Sequence, residues 1–307
     1  MFRTIVVPLD GSPLAEHAIA TATMLAERAK ADVVLVRAHQ LMLHDLGDQL
    51  ALDQAMREEA QDYLDRTAKG IHDEVGLAPR TEILEGPPAH AICEFVRSLP
   101  DPLLVMCTHG RTGFSRMWMG SVADGVLRTS SAPLLLLRPE QAPDGVLEPV
   151  GAFKRMLIPL DGSGYAEQVV PHAMALAELT EAQVLLLEVV KPVYMPAFMP
   201  AMEYAVTYAP PEDYAADATR TLVERAADYV AALATKLRRQ HATLDIQTEV
   251  RTDATPATVI IGTAEAQGTD VVALATHGRG MSRFVVGSVA DKLLRAGPPA
   301  MLVVRPQ

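Results

Sequence analysis

The sequence predicts an α/β protein built from two tandem domains, each with an open, parallel sheet of five strands flanked by helices. The first observation behind this prediction is a repeat: residues 2–12 read FRTIVVPLDGS and residues 153–163 read FKRMLIPLDGS. The second is that short apolar runs alternate with helix-favouring segments in each copy, which is typical of a parallel sheet covered on both faces. The third is the length of 307 residues, which suits about two ordinary domains.

The elements of the first copy follow in a regular order. Ile5 to Leu9 is a short apolar run that ends in an Asp-Gly-Ser turn, as expected for a buried parallel strand that leads into a helix. Helices and strands then alternate: helix Leu14–Ala31, strand Val33–Val36, helix Leu52–Val75, strand Thr81–Leu84, helix Ala89–Arg97, strand Leu103–Met106, helix Gly120–Thr129 and strand Leu134–Leu137. This order predicts a Rossmann-like domain, whose ligand crevice lies at the carboxyl ends of the strands.

The two copies are expected to be domains joined by a linker. Residues 139–151 read PEQAPDGVLEPVG, with the proline, glycine and acidic content of a connecting segment. We therefore expect domain one at residues 1–140, a linker at 141–152 and domain two at 153–307. The offset between matching residues grows from 151 at Asp10 and Asp161 to 167 at Gly120 and Gly287, so the second copy holds a net 16 additional residues.

The additional residues fall within 191–220, a segment with four tyrosines and three methionines. Two interpretations stay open. The segment is a loop packed over its own domain, or it is a lid or partner-binding surface built from adaptable apolar side chains.

Composition and charge exclude several classes of protein. The net charge is -11, with 27 basic and 38 acidic residues, and no basic stripe indicates contact with nucleic acid. The longest apolar runs have strand length and are too short to span a bilayer. Two cysteines cannot form a disulfide framework, and the chain has no pattern of a secretory leader. We expect a cytoplasmic protein that binds neither nucleic acid nor membranes.

Three features converge on the predicted crevice of each copy. The acidic turn offers a carboxylate, which accepts hydrogen bonds from a ribose hydroxyl or an adenine amino group, although it also suits a helix N-cap. Residues 107–113, CTHGRTG, form a small-residue loop whose main chain can approach an anion. Gly120-Ser121-Val122 opens the next helix, where unpaired N–H groups and the helix dipole favour phosphate.

Together these motifs resemble the universal stress protein family. The resemblance rests on the strand followed by P-L-D-G-S and on the late G-x2-G-x9-G-S pattern, and it covers nearly the whole chain as two tandem domains. It implies binding of ATP, with AMP or ADP as alternatives, although some members of the family bind no nucleotide. Whether Mg²⁺ accompanies the phosphates stays open, since no carboxylate cluster beyond Asp10 and Asp161 is evident.

The resemblance also implies the site residues. In domain one, Asp10 and Ala38 would contact adenosine, and the residues around ribose and phosphates would be His109, Gly110, Arg111, Gly113, Gly120, Ser121 and Val122. In domain two the matching residues are Asp161, Val189, His277, Gly278, Arg279, Gly280, Gly287, Ser288 and Val289. The candidate site also includes the adjoining strand ends, Pro8, Leu9, Met106, Cys107, Pro159, Leu160, Leu274 and Ala275.

Two departures from the family pattern qualify these assignments. Cys107 and Ala275 stand where the pattern has its first glycine, and both are small. In domain one nine residues separate Gly110 from Gly120, as in the pattern, whereas in domain two only eight separate Gly278 from Gly287. Because charge-assisted hydrogen bonds depend on the aim of the loop amides, domain one is predicted to be the better binder.

The function predicted first is that of a nucleotide-binding regulatory protein in the stress response, with no catalytic residue assigned. The sequence lacks a Walker A loop and the motifs of serine hydrolases and zincins. Slow ATP hydrolysis and a nucleotide-free scaffold that acts through an unknown protein partner remain alternatives. Cys107 is interpreted as a small filler rather than a reactive thiol, because its counterpart is Ala275.

The assembly prediction rests on the final strands. Leu134–Leu137 and Met301–Val304 are apolar and each is followed by Arg-Pro. Apolar edge strands need a partner. Domains of the resembling family pair through this strand, which implies that the two halves form an intramolecular pseudo-dimer; a homodimer of the whole chain stays open.

Overall fold

The computed structural model describes residues 1–40, 49–108, 119–139, 153–194, 214–276, 286–296 and 298–306. The predicted α/β fold is confirmed in both halves. The first half contains β1 (Thr4–Pro8), α1 (Pro13–Ala29), β2 (Asp32–His39), α2 (Gln49–Val75), β3 (Arg80–Glu85), α3 (Pro88–Arg97), β4 (Pro102–Cys107), α4 (Ser121–Thr129) and β5 (Leu134–Leu137).

The second half repeats this order, with a 3-10 turn at Ala166–Val169 before its first α-helix. Its elements are β6 (Arg155–Leu160), α5 (Val170–Thr180), β7 (Gln183–Val190), α6 (Tyr214–Gln240), β8 (Ile246–Thr252), α7 (Pro256–Ala266), β9 (Val271–Ala275), α8 (Ser288–Ala296) and β10 (Ala300–Val304). None of the helices in the described ranges is both long enough and apolar enough to cross a membrane.

The two predicted sheets are joined into one sheet of ten strands. The strand order is β3-β2-β1-β4-β5-β10-β9-β6-β7-β8. Pairing is parallel within each half, and β5 pairs with β10 antiparallel, from Leu134 opposite Val303 to Leu137 opposite Ala300. The final strands therefore pair with each other inside one chain, as the pseudo-dimer prediction expected.

Two arginines reinforce this junction. Arg138, directly after β5, is buried and donates from its guanidinium to the carbonyl of Leu294 near the end of α8. Arg305, directly after β10, donates to the carbonyl of Thr129 at the end of α4, with an N–O distance of 3.4 Å. Each domain therefore contacts the last turn of a helix of the other domain, where carbonyl groups lack partners within the helix.

Several observed boundaries differ from the predicted ones by one to three residues. The first helix ends at Ala29 rather than Ala31, because Lys30 has the left-handed φ of 52° and the Ala31 amide bonds back to Ala26. The additional residues at 191–220 are not all loop, since α6 already begins at Tyr214. Residues 195–213 of that segment lie outside the described residues, and so does the predicted linker at 141–152.

The topology places a switch point in each half. The chain passes from β1 to β2 on one side and reaches β4 on the other, and it passes in the same way from β6 to β7 and later to β9. Ligands of open α/β sheets bind at such a switch point, outside the carboxyl ends of the strands.

Candidate functional site

The acidic turns after β1 and β6 have the same geometry. Oδ1 of Asp10 accepts from the amide of Ser12 at 2.9 Å, and Oδ1 of Asp161 accepts from the amide of Ser163 at 3.0 Å. The glycine between them has a left-handed φ in both turns, 86° at Gly11 and 71° at Gly162, which explains the glycine.

The serine of each turn, rather than the aspartate, contacts the segment that follows, and Ser12 is the N-cap of α1. Oγ of Ser12 accepts from the amide of Ala15, and Oγ of Ser163 accepts from the amide of Ala166, both at 3.2 Å. The N-cap interpretation of the aspartates is therefore wrong, because the aspartates hold the turn. A carboxylate has four lone-pair positions, so each aspartate has the capacity to accept from a ligand as well.

The helices predicted to face phosphate begin at Ser121 and Ser288; in domain one the predicted first residue, Gly120, is the N-cap instead. The amide of Gly287 donates to the carbonyl of Thr276 at 2.8 Å, so this amide is used inside the protein. A Cβ at position 287 would lie 3.2 Å from the same carbonyl oxygen. Gly287 therefore permits a close approach of two chain segments, and the amides that follow it in the first turn of α8 have no partner within the helix.

Domain two contains a cavity of about 760 Å³ at the carboxyl ends of β6, β7 and β9. Nine predicted site residues of domain two fall within the described residues, and all nine line this cavity: Pro159, Leu160, Asp161, Val189, Leu274, Ala275, Gly287, Ser288 and Val289. The other four, His277, Gly278, Arg279 and Gly280, lie outside the described residues.

Several lining residues were not predicted from the sequence. Glu188 in β7 is buried, with 9% of its surface exposed, whereas Lys191 and Arg225 line the cavity from exposed positions. Tyr229 of α6 also lines it and donates to Glu167 at 3.0 Å. The cavity therefore combines a buried acidic residue with two exposed basic residues.

The pKa of Tyr229 is raised by its burial and by its acidic neighbours. Burial raises the pKa of Tyr229 most, and its hydrogen bond to Glu167 and the charges of Glu167, Glu188 and Asp161 raise it further. The phenol stays protonated at neutral pH and donates its hydrogen bond.

The matching region of domain one keeps the tyrosine–glutamate contact but has a different charged residue on the second strand. Tyr63 of α2 donates to Glu16 at 2.8 Å, as Tyr229 does to Glu167. Arg37, which stands where domain two has Glu188, lies over the ring of Tyr63 with its guanidinium carbon 5.2 Å from the ring centroid. Burial and then the Glu16 contact raise the pKa of Tyr63.

Domain one also has a contact that domain two lacks. Nε2 of the buried His39 lies 2.6 Å from Oδ1 of Asp53, which joins the end of β2 to α2. The matching residues of domain two are Val190 and Thr219, which cannot form an ion pair.

The predicted residues of domain one are described in part. Pro8, Leu9 and Met106 are buried in the core, while Asp10 and Ser121 are exposed. The half-buried members of the set are Ala38, Cys107, Gly120 and Val122. The loop members His109, Gly110, Arg111 and Gly113 lie outside the described residues.

The two cysteines have the properties of packing residues. Burial raises the pKa of Cys107 to about 12, so its thiol is protonated at neutral pH and is a poor nucleophile. Sγ of the buried Cys93 lies 3.2 Å from Oγ1 of Thr129. These data support the interpretation of Cys107 as a small filler. Within the described ranges, no group of three His, Cys, Asp or Glu residues is arranged to hold a metal ion.

The fold and the cavity define a tandem α/β protein of the doubly wound type, with a ligand crevice at the switch point. Comparison with models of protein families identifies the family. The model of the universal stress protein family matches residues 1–138 and again residues 152–305, and the chain belongs to this family.

Individual relatives agree with this assignment. A universal stress protein of Methanocaldococcus jannaschii is 32% identical over 142 residues, which cover 45% of this chain and 83% of the relative. One from Thermus aquaticus is 30% identical over 142 residues, which cover 45% of this chain and all of the relative. The crystal structure of a universal stress protein from Archaeoglobus fulgidus superposes with a TM-score of 0.64 at 17% identity and covers 98% of both chains, so it shows the shared fold.

Proposed function

We propose that this universal stress protein binds an adenine nucleotide, ATP in the first place, in the cavity of domain two, and that binding serves a regulatory role in the stress response. The observation that carries the proposal is that nine predicted nucleotide-site residues line one cavity. Its volume of about 760 Å³ lies within the range of small-molecule sites, roughly 300–1,000 Å³.

The lining suits the parts of the ligand in turn. Val189, Ile260 and Leu274 provide apolar surface for the faces of an adenine ring. The carboxylates of Asp161 and Glu188 are acceptors, whereas the adenine amino group and the ribose hydroxyls are donors.

Phosphates would be held by hydrogen-bond donors and positive charges. The first turn of α8 offers amide donors and the positive end of its dipole, and the Ser288 hydroxyl adds a donor. The charges of Lys191 and Arg225 attract phosphate from exposed positions of the lining. These groups attract phosphate locally, although the whole chain has a net charge of -11.

Domain two is thus the site that the described residues support, whereas the loop spacing favoured domain one. The spacing argument stays a prediction, because both loops lie outside the described residues. A titration with matched variants decides between the domains.

Asp161→Ala and Asp10→Ala make such a pair, since each removes the carboxylate that holds the same turn. Isothermal titration calorimetry with ATP should show at least about a tenfold loss of affinity for Asp161→Ala, from two lost charge-assisted hydrogen bonds, and an unchanged affinity for Asp10→Ala. The reverse pattern would favour domain one. Equal affinities in both variants and the parent chain would refute the role of the turns.

Two further measurements test the alternatives. Mass spectrometry of ligand extracted from the native protein should recover an adenine nucleotide; protein without ligand and without measurable affinity would favour the scaffold. Release of ADP that is lost in Gly278→Val would support slow hydrolysis.

We also propose that the chain acts as an intramolecular pseudo-dimer, supported by the antiparallel pairing of β5 with β10. Sedimentation equilibrium should give one chain per particle unless a further surface forms a homodimer.

A further inference from the structure

The two domains differ in charge at one matching position near the carboxyl end of the second strand. Arg37 follows Val36, which lies opposite Pro8 in the parallel pairing of β1 with β2. Glu188 follows Leu187, which lies opposite Pro159 in the pairing of β6 with β7. The same backbone position therefore carries a cation in domain one and an anion in domain two.

The guanidinium of Arg37 lies between the acidic turn and α2. Its carbon is 5.2 Å from the centroid of the Tyr63 ring. Its two terminal nitrogens are 3.7 and 3.8 Å from the position that a Cβ on Gly11 would take. The arginine therefore fills the space between the Gly11 turn and the Tyr63 ring.

In domain two the matching space is part of the cavity. Gly162 and Tyr229, the counterparts of Gly11 and Tyr63, both line the cavity, and so does Glu188. The surrounding frame is the same in both domains, because each tyrosine donates to the glutamate of the helix segment after the acidic turn, at 2.8 Å and 3.0 Å. At this place the charged side chain of the second strand differs, Arg37 in domain one and Glu188 in domain two.

We infer that Arg37 closes the adenosine part of the domain-one site and that the chain binds one nucleotide, in domain two, where Glu188 leaves the space open. This inference rests on the proposed function. An incoming adenosine would have to displace the guanidinium from the tyrosine ring, and its amino and hydroxyl donors would meet a group that has only donors. In domain two the same donors meet an acceptor.

The test exchanges the two residues and counts bound ATP by isothermal titration calorimetry. The parent chain should bind one ATP per chain. Arg37→Glu should add a second equivalent, and Asp10→Ala in that background should remove the added equivalent again. Glu188→Arg should lower affinity at least tenfold.

Folding of each variant is checked by circular dichroism and thermal unfolding. Domain two holds Glu188, Glu167 and Asp161 around Tyr229, so the same acidic set around Tyr63 in domain one has a precedent within the chain. If Arg37→Glu does not fold, Arg37→Ala opens the same space without a new charge and should also add an equivalent.

The outcomes separate the inference from the proposed function. Two equivalents in the parent chain would overturn the inference and leave nucleotide binding intact. One equivalent in the parent chain and still one in folded Arg37→Glu and Arg37→Ala would also overturn it. No binding by any variant at millimolar ATP would overturn the proposed function and the inference together.

Discussion

Domain one and domain two share a backbone frame and reverse the charges within it. Domain one has Arg37 beside its acidic turn and Glu59 on the helix above, whereas domain two has Glu188 and Arg225 at the matching positions. In domain two the buried group is acidic and the exposed group is basic, an order that suits a ligand with a donor-rich nucleoside and an anionic tail.

The comparison teaches that a duplicated domain can keep its scaffold while the charged side chains within it change. The turns, the contacts of Ser12 and Ser163 with the amide three residues on, and the tyrosine–glutamate contacts are the same in both halves. These contacts position the site, so they are needed whether or not a ligand is bound. The residues that differ include Arg37 and Glu188, which lie beside the crevice at matching positions.

The largest expected effect concerns packing beside the domain-one site. A Cβ on Gly125 of α4 would lie 2.6 Å from the Cβ of Ala89 on α3, whereas the matching residue of α8 is the exposed Lys292. Gly125→Leu should lower the free energy of unfolding by about 3 kcal/mol, because overpacking forces the two helices apart. Lys292→Leu should change it by less than about 0.5 kcal/mol. Urea unfolding measures both.

Equal effects of these two leucines would break the comparison. That result would mean that α3 and α4 can move apart without loss of stability, and that their close approach does not require glycine at position 125. Leucine is a good helix former in both variants, so helix propensity opposes the predicted loss at Gly125 and cannot cause it.

A second difference lies at the junction of the domains. Arg138 is 7% exposed and donates to the carbonyl of Leu294, whereas Arg305 is half-buried and its contact with the carbonyl of Thr129 is longer. Arg138→Met should cost about 2 kcal/mol, because it leaves a buried acceptor without this donor. Arg305→Met should cost less than about 1 kcal/mol. Thermal and urea unfolding of the two variants should rank them in this order, and the opposite order would refute the asymmetry.

The repeat made much of the fold predictable. Matching the halves at Asp10 and Asp161 located the turns, and the strand–helix alternation placed all five strands of domain one near their observed positions. The union into one ten-stranded sheet needed the resemblance, because an apolar edge strand does not by itself identify its partner.

The lining residues from β7 and α6 were harder to predict. Glu188, Arg225 and Tyr229 follow no motif, and whether α6 reaches the crevice depends on how a long helix packs across the sheet. The signal that would have found them is the repeat itself, since Asp-Tyr recurs at 62–63 and 228–229 and the halves carry opposite charges at Arg37 and Glu188. The conformation of the glycine-rich loops is not among the described features, so the spacing argument stays untested.

The exposed charge of Arg225 in the domain-two cavity is expected to affect the binding of ATP. Arg225→Glu installs the residue type that domain one has at Glu59. This variant should lower the affinity for ATP about tenfold and the affinity for adenosine less than about twofold, because only ATP carries the phosphates that a reversed charge repels. The loss for ATP should shrink at high salt, since exposed charges are screened. Glu59→Arg in domain one should leave both affinities unchanged, and an equal loss for ATP and adenosine in Arg225→Glu would contradict this role of the charge.

The smallest expected effect is a dependence of stability on pH at the domain junction. The ring of His172 on α5 stacks on Phe2 with centroids 6.4 Å apart, and the matching residue of domain one is Thr21. Burial, and then the positive charge of the amino terminus, lowers the pKa of His172.

Below about pH 6.5 the unfolded chain therefore binds a proton at this histidine more readily than the folded protein does. The stability of the fold consequently decreases as the pH falls through that value. The loss levels off below the pKa of the folded state. His172→Thr removes this contribution and should make the free energy of unfolding less sensitive to a change from about pH 7.5 to 5.5. Urea unfolding at both pH values measures the difference. An identical pH dependence in His172→Thr and the parent chain would show that the stacked histidine does not contribute to the pH dependence of stability.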